Sequence, residues 1–236
     1  MSAVIHCIVE YNDDGYLVFA GNYPGAYARG RTKEEALNKI PDEIQSYQLW
    51  SNADNIKDNI TIEIHEEQKS DLQIRDADSD VLFESEQPPL SEKEYLKLKS
   101  LVLKSAKDFK ILYGSFPKKD VTNKTSRTTF YGSIPLTANE ILIHTNSVTG
   151  YYIGEIGGRF NCHSDIFENR VAGLKCVEML PDFLENKCFK GSHGELWTLR
   201  KVMRRFIWHD RIHAKSMYRT GIAIWGKDII ANPYYF

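Results

Sequence analysis

Over its first 67 residues this chain reads as short strand-like runs, and from residue 91 onward its apolar residues recur at helical spacing. Val4-Ile5-His6-Cys7-Ile8-Val9-Glu10-Tyr11 is rich in β-branched residues. Asn12-Asp13-Asp14-Gly15 is a strong turn signal, and Tyr16-Leu17-Val18-Phe19-Ala20 is the returning strand. A short strand around Ala26–Arg29 ends at Gly30. Thr32-Lys33-Glu34-Glu35 is a capping box that opens a helix with Ala36, Leu37, Ile40 and Ile44 inward. Pro41 falls inside that pattern and predicts a kink or a different boundary. Asn59–His65 alternates polar and apolar residues as a half-buried strand does. The order β-β-β-α-β describes a small α+β unit, one sheet backed by one helix.

Four helices are predicted in residues 91–236. Ser91-Glu92-Lys93-Glu94 caps the first, whose stripe is Tyr95, Leu98, Val102, Phe109 and Tyr113, up to Gly114. Thr137-Ala138-Asn139-Glu140 caps the second, with Ile141, His144, Val148 and Tyr151 inward and Gly157-Gly158 after it. A third begins near Ser164, carries Phe167, Val171, Leu174, Val177 and Leu184, and is kinked or shortened by Pro181. Ser192-His193-Gly194-Glu195 is the predicted start of the fourth, whose stripe runs Leu196, Leu199, Met203, Phe206, His209, His213 and Met217. Four such stripes predict a four-helix bundle. The predicted chain is therefore multidomain, α+β then all-α: residues 1–67, an acidic linker over 68–90 closed by Pro88-Pro89, and residues 91–236.

Charge supports the division. Residues 1–90 hold 7 Lys/Arg against 18 Asp/Glu, and the remainder 23 against 14, so a net charge of -2 conceals parts of opposite sign. The basic run on the fourth helix (Arg200, Lys201, Arg204, Arg211 and Lys215) reads as a solvated face pairing with acidic residues, those of the first part among them, rather than as a nucleic-acid surface. Cys7, Cys162, Cys176 and Cys188 have no paired spacing, which points to a reducing compartment, and no apolar run approaches a membrane span. A cytoplasmic location is expected.

The candidate chemistry is histidine. His209 and His213 stand one turn apart on an apolar face, where an unpaired imidazole is costly. His144 shares that inward phase on the second helix. Three imidazoles from two helices are a donor set for Zn²⁺, Ni²⁺ or Fe²⁺ with a position left open. Asp210 makes the run His-Asp-x-x-His, one methylene short of a metallopeptidase pattern, and reads instead as a salt-bridge partner of a neighbouring arginine or as a hydrogen-bond acceptor behind the metal ligands. His163 and His193 are assigned to surface or capping roles. His6 and His65, in strands, are assigned to structural ones.

Asp14-Gly15-Tyr16, Pro24-Gly25, Gly30, Thr32 and Glu35-Ala36-Leu37 occur in the order found in the HicB-like antitoxin domain, which residues 4–66 resemble. That resemblance implies an interaction module, with a protein partner in the manner of toxin–antitoxin pairs. No DNA-binding segment follows. Residues 91–236 resemble the DinB/YfiT-like superfamily, carried by Thr137–His144 and by Trp197–His213 with its Trp-His-x-x-x-His run. The resemblance implies a four-helix bundle, often dimeric, with a divalent ion on His144, His209 and His213. It also implies transferase or isomerase chemistry using a low-molecular-weight thiol. The expectation is a metal-dependent transferase or hydrolase of open substrate. The alternative is a non-enzymatic regulatory or interaction protein with a structural ion.

Overall fold

A computed structural model describes residues 3–52, 60–129 and 132–236. The N-terminal part contains β1 (Ala3–Asn12), β2 (Gly15–Ala20), β3 (Tyr27–Gly30), α1 (Lys33–Asn38), α2 (Ile40–Ser51) and β4 (Ile60–Lys69). The sheet order is β3-β2-β1-β4, antiparallel except for the parallel β1–β4 pair. A parallel neighbour requires a crossover, and α1–α2 supplies it. The single helix predicted after Thr32 is thus two. Pro41 cannot donate to a preceding turn, but it fits the first turn of α2, so the chain breaks at Lys39. The last strand continues four residues beyond His65; Asn59 lies outside the described residues.

The helical part contains α3 (Glu92–Gly114), two residue pairs β5 (Thr128–Thr129) and β6 (Gly132–Ser133), α4 (Ala138–Glu155), α5 (Ile166–Glu178), β7 (Phe189–Lys190), β8 (Leu196–Trp197) and α6 (Leu199–Trp225). The boxes at Ser91 and Thr137 close in both directions. Asp165 rather than Ser164 caps α5, which stops before Pro181. α3 and α4 each pack against both α5 and α6.

One helix start is corrected. Ser192–Glu195 is the turn of the β7–β8 hairpin. Gly194 takes the left-handed conformation, and Phe189 pairs with Trp197, so the chain there is committed to strand geometry. The helix starts at Leu199, where the Thr198 hydroxyl accepts from the Lys201 amide. Leu196 consequently belongs to an exposed strand and not to the helical stripe.

Residues 70–90 form a packed strap rather than a loose tether. Ile74, Val81 and Phe83 bury themselves on Ile8, Leu17 and Phe19 of the sheet and on Trp208 of α6. Both sheet faces are thereby covered, since Ile5, Cys7, Val9 and Val18 join Ala36, Ile40 and Ile44 in the other cluster. That second cluster continues through Trp50, Phe109, Phe206 and Met217 to Tyr234, so the two parts share one core.

α6 is the axis of this arrangement, and it is buried on nearly every side. Of the basic residues expected in solvent, Lys201, Arg204 and Arg211 are buried and Arg200 and Lys215 half-buried, all with acidic partners. Arg211 donates to Glu43 of α2 at 2.7 and 3.1 Å, and Lys215 reaches the other oxygen at 2.7 Å. Arg204 grips Glu86 of the strap and lies 3.9 Å from the Phe83 ring centroid. The opposite charges of the two parts meet at this helix.

Candidate metal centre

His209 and His213 stand one turn apart on α6, and His144 comes to them from the first half of α4. The ring centroids are 4.3 Å apart for His209–His213, 4.6 Å for His144–His213 and 5.1 Å for His144–His209. One ligand nitrogen from each lies within 4.8 Å of the other two. The three predicted residues are brought together. Among the described residues no carboxylate or thiol joins the group.

Their setting differs from the expected bundle core. The buried face of α4 is Ile141, Thr145, Thr149, Tyr152 and Ile153, while His144 and Tyr151 are exposed beside it. The trio lies in the wall of a cleft of about 1840 Å³ between the helices and the N-terminal part. Tyr27 and Arg29 line that cleft from β3, Asp76 from the strap, and His193 and Glu195 from the hairpin. Small-molecule pockets run roughly 300–1,000 Å³, so the opening is wider than a single compact ligand requires.

Two observations bear on whether a cation fits. The Nδ1 atom of His209 is buried without a hydrogen-bond partner, an arrangement that costs about 1–3 kcal/mol unless something accepts the lone pair or the proton. All three rings are also held neutral, the form that binds metal. Burial drives His209 well below the ordinary histidine value, and the neighbouring His213 and His144 add to this. Burial takes His213 down to about 3, with help from His144 and Lys124, and lowers His144. Three neutral nitrogens around one point are a donor set for Zn²⁺, Ni²⁺ or Fe²⁺.

Asp210 plays no part in the cluster. It pairs with Arg170 of α5 at 2.7 Å, both side chains fully buried, and Arg170 lies over the Phe206 ring. Burial pushes the Asp210 carboxyl up to about 6 against the pull of Arg170. His163 is exposed on the loop before α5, and its amide donates to Asn169. His193 is exposed on the hairpin turn.

Lys124 has no counterpart among the residues expected from the sequence. It comes from the long connection between α3 and α4, is half-buried, and donates to the Ser216 hydroxyl at 2.7 Å, one turn beyond His213. Arg127 of the same connection pairs with Asp76 of the strap. Through these contacts the connection lies against the cleft; Phe130 and Tyr131 within it fall outside the described residues. A lone lysine in a Lys/Thr-rich loop carries no periodic signal that could have marked it.

Among the described residues no helix is long and apolar enough to cross a membrane. Compared with protein-family models, with curated proteins and with solved structures, the chain shows no match.

Proposed function

We propose that His144, His209 and His213 bind one divalent ion, Zn²⁺, Ni²⁺ or Fe²⁺, and that the protein is a metal-dependent transferase or hydrolase working in the cleft. The observation that supports this most is the convergence of three neutral imidazoles at the cleft wall with no protein group in a fourth position among the described residues. A structural ion is normally closed by four protein ligands, whereas three leave room for a reactant. When bound, the ion supplies Lewis-acid chemistry and lowers the pKa of a water or thiol at its open positions.

The surrounding side chains have their own tasks. Tyr152 meets the His209 ring edge-on at 6.2 Å and limits its rotation. Lys124 holds a positive charge on the same side as His213, suited to an anionic reactant such as a thiolate. The N-terminal part, HicB-like in its sequence pattern, forms the opposite wall and selects what enters.

The test is elemental analysis of purified protein. His144→Ala and His213→Ala are each expected to carry one divalent ion per chain fewer than wild type, with the fold retained by circular dichroism. Full retention of the ion by both variants would end this reading.

A further inference from the structure

A second group of metal-ligating side chains lies on the sheet, on elements that contribute nothing to the trio. His6 of β1 and Glu63 and His65 of β4 place one ligand atom each within 4.8 Å of the others. The two imidazoles are stacked, with centroids 4.0 Å apart and planes inclined by 22°. The Glu63 carboxylate is 3.6 Å from Nε2 of His65.

The strand register explains how the group forms. β1 and β4 run in step from Ala3↔Ile60 to Cys7↔Ile64, and His6 faces Glu63. In unbroken register the next pair would put His65 beside Ile8, which is buried under the strap. Instead Ile8 pairs with Glu66, and His65 is the extra residue of a bulge. Bulges re-aim side chains. This one leaves His65 stacked on His6, with Glu63 beside it.

The donors are two imidazoles and a carboxylate. That set suits Zn²⁺ and other divalent transition ions, and it disfavours Ca²⁺ and Mg²⁺, which take oxygen. Zinc–nitrogen bonds of about 2.0–2.1 Å ask for nitrogens roughly 3.4 Å apart in a tetrahedron. The ligand atoms already lie within 4.8 Å of one another, and unstacking the two rings by rotation of the exposed His65, with Glu63 following, turns their in-plane lone pairs toward one ion. We propose that His6, Glu63 and His65 form a second transition-metal site, with Zn²⁺ as its ion, clamping the edge strand β4 to β1.

Zn²⁺ binding to the chelator-stripped full chain, counted by equilibrium dialysis, tests this separately from the proposed function. Wild type is expected to bind two equivalents. His65→Ala is expected to bind one, and so is the triple variant His144→Ala/His209→Ala/His213→Ala. Combining all four substitutions is expected to abolish binding. An unchanged count in His65→Ala overturns the inference, and so does a folded triple variant that binds none. Should the triple variant not fold, His65→Ala decides the matter alone, because its side chain is exposed and its loss leaves the core untouched. A wild-type count of one that His65→Ala removes would leave this site standing and sink the trio.

Discussion

Buried ionisable side chains are concentrated around the strap and α6, and each has its own consequence. Glu10 is fully buried on the sheet face that the strap covers. Burial pushes its carboxyl up to about 7, against the pull of the Ser79 hydroxyl, with Asp80 raising it further. The folded state therefore holds this proton more tightly than the unfolded chain does. The folded state is favoured at low pH, and stability falls as pH rises from the unfolded value of about 4.5 through 7, by about 3 kcal/mol in all. Glu10→Gln keeps the shape without the charge. It is expected to raise the urea midpoint over wild type at pH 8 and to change it little at pH 4.5; equal effects at both would refute the assignment. The trio has the opposite sign. Its histidines are depressed, so acid below about 6.5 costs the metal-free protein stability. At this scale the sequence pointed to the trio through two histidines one turn apart on α6 and a third on α4, although His144 stands beside the buried face of α4 and not on it. Glu10, Lys124 and the His6–His65 stack were not legible, since burial and a register slip come from pairing across distant segments.

α6 shows which properties of an element follow from its own residues and which follow from its neighbours. Its apolar period and the Thr198 cap are local, and they determine a long helix. Burial of its charged side is not local: that side met the strap and α2, and Arg204 and Arg211 found Glu86 and Glu43 there. The predicted start at Ser192 failed for a related reason, because a Ser-x-x-Glu spacing reads as a cap until β7–β8 pairing takes the same residues. On another face of α6, the buried Arg170–Asp210 pair ties it to α5. Arg170→Met leaves Asp210 without its partner and is expected to cost about 3–5 kcal/mol in chemical denaturation at pH 7. The double variant Arg170→Met/Asp210→Leu is expected to recover most of that loss, because a matched apolar pair leaves no buried charge. A double variant no better than the single one would show that packing, not charge, is what the site loses.

For the molecule as a whole, the change of hydrophobic period correctly separated a sheet-bearing part from a helical part, but it implied more independence than the structure has. Gly25 illustrates the coupling. It holds a left-handed conformation, and a Cβ there would come within 2.5 Å of Ile207 on α6, so backbone from the first part sits directly on the central helix of the second. Trp50 of α2 donates to Asp108 of α3 at 2.8 Å and stacks on Tyr234 near the end of the chain. With one core running through both parts, and with charged pairs across the contact, neither part has a complete surface of its own. The physical expectation is a single cooperative transition. Hydrogen exchange followed across a denaturant series is expected to give the central amides of β1 and those of α6 the same opening free energy, at the global limit. Separate values, with β1 opening well before α6, would mean that the cleft wall facing the histidines detaches on its own, and that the cleft is a hinge between two domains.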